Sequence, residues 1–203
     1  MLDISLPVMV RQPIVLVGGA VSGKSATLKT LVQHPKIGPK IMAVPEVFTN
    51  LVAQGVITPS LDVEENRRNQ KMVAFEVIQV EKDHALQAVN QGLTLVCDRG
   101  LPDSAVFLLG GIPEFEALIG HTLEEALGRY GLVIELGSPP EDVFNAMHAA
   151  NPARIRSYTS VYEMEKSFTD IYSRHANYVR IPYSSNWEDK VSAVTKIVEA
   201  YLG

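Results

Sequence analysis

Gly18-Gly19-Ala20-Val21-Ser22-Gly23-Lys24-Ser25 sets two flexible backbone positions, a lysine and a hydroxyl in the spacing G-x-x-x-x-G-K-[ST]. The chemistry of that spacing is anion binding. Gly18 and Gly23 let the backbone curl toward a phosphate with no Cβ in the way. The N–H groups from Gly18 to Ala26 would then form a nest, closed by the positive end of the following helix. Lys24 is expected to reach the β and γ phosphates of a nucleotide as a point charge. The Ser25 hydroxyl is expected to ligate Mg²⁺. A plain glycine turn would explain the glycines but not Lys-Ser at that offset.

Other side chains have types and positions that suit the same chemistry. Asp98 ends the apolar run Leu93-Thr-Leu-Val-Cys97 and is followed by Arg99-Gly100. An acid at the end of a strand beside such a loop is expected to bind Mg²⁺, directly or through water. Its alternative is a cap for the next helix. Arg99 would hold substrate or a phosphate oxygen, or form a structural ion pair. Asp103, about one turn on, would assist either role or merely start a helix. Glu46, in Val44-Pro45-Glu46, is the candidate base for an acceptor hydroxyl. Its alternative is a favourable charge at a helix N-terminus. Arg154 and Arg156, in Asn151-Pro-Ala-Arg154-Ile-Arg156, are read as lid arginines that neutralise charge during transfer, or else as solvated loop residues. Arg67 and Arg68 are read as solvated.

These groups need elements to position them. Ile14-Val15-Leu16-Val17 is a short β-branched strand before the loop, and Leu28, Leu31 and Val32 recur behind it at helical spacing. Further strands are expected at Lys40–Val44, Leu93–Cys97, Leu132–Leu136 and Tyr178–Ile181. Helices are expected from Val47 to Gln54, and from Asp62 to about Asn90 with Met72, Val73, Val77, Val80 and Val89 as its apolar face. A broken helical region follows Asp98, and Ser138-Pro139-Pro140 opens another helix. Ser160 with Glu163, and Ser185 with Glu188, are expected to cap the last two. Trp187, Val191, Val194, Val198 and Tyr201 are the expected buried face of the final helix. Strands alternating with helices predict an α/β three-layer sandwich, a five-stranded parallel sheet with helices on both faces. One domain is expected over 1–203, with a lid-like segment around 149–159. Ligands of such sheets sit beyond the carboxyl ends of the strands. That rule brings the loop, Glu46 and Asp98 together.

Composition narrows the function classes. The 203 residues carry a formal charge of −5, which argues against a general nucleic-acid binder. Cys97 is the single cysteine, so no intrachain disulfide can form, which suits a reducing cytoplasm. No run of 18 apolar residues occurs, so no membrane span is expected. The five histidines lack zinc-ligand spacing with cysteine.

The segments Val17 to Ser25, Val44-Pro45-Glu46-Val47 and Val96-Cys97-Asp98-Arg99-Gly100 with Asp103 resemble the small P-loop ATPase/kinase family. That family includes nicotinamide-riboside kinase domains and nucleoside-kinase-like AAA-type ATP-binding proteins. The resemblance runs from about Gln12 to Leu202. It implies ATP and Mg²⁺ as cofactors, with Lys24 and Ser25 serving ATP and Mg²⁺, Asp98 serving the metal, and Glu46 and Arg99 facing a small-molecule acceptor. The chain departs from the family pattern at Ala20-Val21 and at Ala26. The expected function is an ATP-dependent phosphotransferase acting on a hydroxyl or phosphate of a nucleoside, nucleotide or vitamin-like compound. A nucleotide-dependent switch or ATPase with a protein partner, and a nucleotide binder without catalysis, stay open. The sequence is compatible with a homodimer but does not define an interface.

Overall fold

The computed structural model describes residues 2–148 and 157–203. Its elements run β1 (Ile14–Val17), α1 (Lys24–Gln33), a 3₁₀ turn (Gly38–Lys40), β2 (Ile41–Val44), α2 (Val47–Ala53), α3 (Val63–Gln91), β3 (Thr94–Asp98), α4 (Asp103–Phe107), α5 (Gly111–Ile119), α6 (Leu123–Leu127), β4 (Leu132–Leu136), α7 (Glu141–His148), α8 (Tyr158–Tyr172), β5 (Tyr178–Ile181) and α9 (Trp187–Leu202). The five strands form one parallel sheet in the order β2-β3-β1-β4-β5. β1 is central and all four of its side chains are fully buried, as a strand covered on both faces must be.

Alternation along β1 divides the core. Val15 and Val17 belong to the cluster built with α2 to α6 and α8. Ile14 and Leu16 belong to the cluster built with α1 and α9. The sheet therefore has helices on both faces. Leu16 is in register with Asp98 of β3 on one side and Ile134 of β4 on the other. The chain leaves β1 toward β3 and β2, then returns to add β4 and β5 on the opposite side. The crevice beyond β1 lies at that reversal, where open α/β sheets bind ligands.

Some boundaries move from the sequence expectation. β2 begins at Ile41 because Gly38–Lys40 takes a 3₁₀ turn. Ser160 does not cap α8. Ser157 does, its hydroxyl accepting from the Ser160 N–H at 3.3 Å. Ser185 does not cap α9, since the Asn186 Oδ1 accepts from the Glu188 N–H at 3.0 Å. Asn and Ser are equally good caps, so a nearby alternative shifts the start with little change in free energy. Asp62 does cap α3, accepting from the Glu65 N–H at 2.9 Å. The face of α3 also rotates slightly: Val73 and Val77 are buried, but Met72 and Val89 are exposed. Trp187 is exposed rather than part of the core, while Val194, Val198 and Leu202 are buried. Among the described residues no helix is long and apolar enough to cross a membrane.

Candidate active site

The loop between β1 and α1 curls because its backbone visits left-handed space repeatedly. Gly18 has φ +130°, and a Cβ there would lie 2.3 Å from the Leu136 carbonyl oxygen, so only glycine fits. Gly23 has φ +92° and Val21 φ +64°. A β-branched residue in that region is strained. Lys24, only 6% exposed, folds back onto the loop. Its Nζ donates to the carbonyls of Gly18 (2.9 Å) and Gly19 (2.7 Å) and to Ser22 Oγ (3.1 Å). Burial, with the nearby positive Arg99, brings the Lys24 pKa down to about 8, against the pull of Asp98, Glu46 and Asp103. A second lysine, Lys190 of α9, is also buried. Its Nζ donates to the carbonyls of Ser22 (2.9 Å) and Gly137 (3.2 Å), tying the loop to the end of β4.

Register carries Asp98 from the end of β3 to the first turn of α1, where the Ser25 hydroxyl donates to its Oδ2. The other oxygen, Oδ1, is buried with no hydrogen-bond partner among the described residues. Burial raises the Asp98 pKa, opposed chiefly by Lys24. A hydroxyl beside a carboxylate with a spare oxygen is a hard-oxygen donor set. It fits Mg²⁺, which takes one or two protein oxygens and completes its shell with phosphate and water. Among the described residues no group of three or more His, Cys, Asp or Glu could hold a metal by itself.

Arg99 organises the next cluster. Its Nε donates to Glu46 Oε1, and its Nη1 donates to Asp103 Oδ2 (2.8 Å) and the Gly18 carbonyl (3.3 Å). The guanidinium lies 5.6 and 5.7 Å from the ring centroids of Phe107 and Phe168, within cation–π range of both. The Thr49 hydroxyl donates to Glu46 Oε2 at 2.6 Å, and the Tyr172 hydroxyl donates to Asp103 Oδ1. Burial acts to raise the Glu46 pKa, but Arg99 and Lys24 outweigh it and hold the carboxyl below its ordinary value. Glu46 is therefore an ionised, oriented carboxylate at neutral pH.

A cavity of about 470 Å³ joins these parts. Gly19, Ala20, Val21, Gly23, Lys24, Ser25 and Ala26 line one end, and Glu46, Asp98, Arg99 and Asp103 line it too. Gly18 and Ser22 support Lys24 from behind. Of the two readings of Arg99, the ion pair is present, with Glu46 and Asp103. Arg67 is half exposed and paired with Glu64 and Glu114, away from the cavity lining. Arg154 and Arg156 lie outside the described residues. Sequence reading missed Thr49, Tyr172, Lys190 and the α3 amides of the cavity wall. Thr49 follows Glu46 by three, a helical spacing that could have flagged it. Lys190 breaks the apolar stripe Val194-Val198-Leu202 at i−4, which was a readable anomaly. Tyr172 and the amides carried no such signal.

A family model described as an AAA domain matches residues 13–190. The chain belongs to the AAA domain family. No curated protein matches it. Among solved structures, this AAA domain is similar to the shikimate kinase from Acinetobacter baumannii in complex with shikimate. The TM-score is 0.56, the sequence identity 14%, and 94% of each chain is covered. At that identity the likeness carries the fold alone, a five-stranded parallel P-loop NTPase sandwich of the kinase type.

Proposed function

We propose that this AAA domain is a Mg²⁺-dependent phosphotransferase, moving the γ-phosphoryl group of ATP to a hydroxyl or phosphate of a small molecule. The observation that carries the reading is the single cavity shared by the phosphate loop and the Glu46–Arg99–Asp103 cluster. Its volume, about 470 Å³, lies in the range of small-ligand pockets. A loop used only to bind nucleotide has no need of an oriented carboxylate within the same enclosure.

Each residue then has a role. The loop N–H groups cradle the phosphates, and Lys24 leaves its carbonyl partners to meet β and γ oxygens. Ser25 and Asp98 would hold Mg²⁺, which supplies charge neutralisation when bound. Glu46 accepts the acceptor hydroxyl proton. Arg99 lowers the basicity of Glu46 while fixing its direction. That exchange suits phosphoryl transfer, whose loose transition state depends more on positioning than on a strong base. Asp103 and Tyr172 anchor Arg99 in turn. Arg154 and Arg156 are assigned to the lid, where they would neutralise spreading charge. The nucleoside-kinase-like order of the Val-Pro-Glu and Asp-Arg-Gly segments supports an acceptor of that size. The absence of a second acid after Asp98, where Arg99 stands, disfavours water as the acceptor.

The test is ADP formation with ATP and Mg²⁺ across a panel of nucleosides, nucleotides and vitamin-like alcohols. Acceptor-dependent ADP release over a low basal rate is expected. Equal release with and without every acceptor would remove the phosphotransferase reading.

A further inference from the structure

One wall of the cavity is α3, and its lining residues are Asn66, Asn69, Gln70, Val73 and Val77 before Glu81. Spacings of three and four residues keep them on one helical stripe. Two of the amides are committed: Asn66 Nδ2 donates to the Phe107 carbonyl and Asn69 Nδ2 to the Thr58 carbonyl, both at 2.8 Å. Gln70 differs. It is 4% exposed, it lines the cavity, and its carboxamide makes no hydrogen bond to any described residue. Gln70 therefore offers the cavity a donor and an acceptor that no described residue uses.

The charges of the same cavity set a second constraint. Among the described residues, the lining cations are Lys24 and Arg99 and the lining carboxylates are Glu46, Glu81, Asp98 and Asp103. Lys24 belongs to the nucleotide phosphates. Arg99 is matched by Glu46 and Asp103, and Glu81 by Arg129. An anionic acceptor would meet surplus negative charge with no spare cation among the described residues, and a buried unpaired charge is strongly disfavoured.

We propose that the acceptor is an uncharged hydroxyl compound bearing an amide-like edge, one donor beside one acceptor, and that Gln70 reads that edge. The proposal rests on the phosphotransferase reading and narrows it. The reaction forms a bond between the acceptor oxygen and Pγ, breaks the Pγ–O bond to ADP, and passes the hydroxyl proton to Glu46. Phosphomonoesters and carboxylic acids are excluded as acceptors.

The experiment uses the full chain with ATP and Mg²⁺ and matched probes: uridine against uridine 5′-monophosphate, and pantetheine against pantothenate, with shikimate as a further anion. The wild-type panel reads the charge rule without any substitution. Transfer to the neutral member of a pair, at least about tenfold above its anionic partner, is the expected result. Gln70→Leu should then raise the KM for that neutral acceptor about tenfold or more, because the amide edge loses its partner. ATP-induced thermal stabilisation of the variant should persist and shows that it is folded. Preferred transfer to an anionic member, including one served by Arg154 or Arg156, overturns the inference and leaves the kinase reading intact. An unchanged acceptor KM in folded Gln70→Leu overturns the role of Gln70 in the same way. No transfer to either neutral probe, with ATP stabilisation retained and transfer found to another member of the acceptor panel that is anionic or lacks an amide edge, overturns this inference alone, and no transfer across the whole panel removes the kinase reading with it.

Discussion

Burial holds the Lys24 ammonium at a pKa of about 8, so phosphate binding must restore any charge lost at higher pH. The direction of the effect is fixed. A lysine whose folded pKa lies below its unfolded 10.5 disfavours the protonated folded state, so its contribution to stability rises between about pH 8 and 10.5. Nucleotide affinity runs the other way. Above about pH 8 it should fall, by up to about tenfold per pH unit, because the ligand must recharge the lysine. Calorimetric titration of ATP from pH 6.5 to 9.5 reads this directly, and Lys24→Ala should bind weakly at every pH with no such slope. Val21 presents a different residue-scale consequence. Its φ of +64° is strained for a β-branched side chain, by an amount on the order of 1–2 kcal/mol. Val21→Gly relieves that strain but frees the unfolded chain, so a net gain of under about 1 kcal/mol is expected in denaturant melts. Destabilisation by the glycine would show that Val21 is held without strain. Glu46→Gln keeps the shape of the side chain and removes its proton-accepting charge. Phosphoryl transfer should fall about 10²-fold or more, with ATP affinity retained. Full transfer by the variant would end the general-base role.

At the scale of elements, the site depends on a buried polar post between α3 and the turn after β3. Glu81 of α3 accepts from Arg129 Nε (3.2 Å) and from the Tyr130 hydroxyl (2.8 Å). Tyr130 Oη in turn accepts from the Leu101 N–H at 2.8 Å, and a Cβ on Gly100 would meet that oxygen at 2.7 Å. The post therefore fixes the backbone that presents Asp98 and Arg99. Glu81 and Arg129 are 1% and 6% exposed. Glu81→Leu would leave the Arg129 charge buried and unpaired, at a cost of roughly 3–5 kcal/mol. Chemical denaturation should report a loss of that order. A loss under about 1 kcal/mol would mean that Arg129 escapes to solvent in the variant. None of this post was legible in the sequence. Its members are separated by up to 49 positions, and Glu81 looks like any acid on a long helix. The phosphate loop was legible because its chemistry is local: eight consecutive residues carry the turn, the lysine and the hydroxyl. Asp98 and Glu46 were legible for a related reason, since a strand end has a known place relative to the loop. The helix caps were read less well, because Ser157 and Ser160, or Ser185 and Asn186, differ little as acceptors.

The whole molecule shows why the strands could be read and the cavity could not. Short apolar runs alternating with helical stripes dictate a covered parallel sheet, and the sheet of order β2-β3-β1-β4-β5 follows that expectation. The cavity wall instead comes from the packing of α2, α3, α4 and α8 against one another, a long-range result with no local signature. Gln70 shows this best, being an ordinary helical glutamine in the sequence and a reserved amide in the fold. The central claim concerns where the phosphoryl group goes, and the destination can be measured. The protein is incubated with γ-labelled ATP, Mg²⁺ and a neutral hydroxyl acceptor found by screening, and the label is partitioned between phosphorylated acceptor and inorganic phosphate over time. The account predicts that most of the label appears in the acceptor and that omitting the acceptor slows ATP consumption. Label released wholly as inorganic phosphate, at a rate indifferent to acceptor, would contradict it.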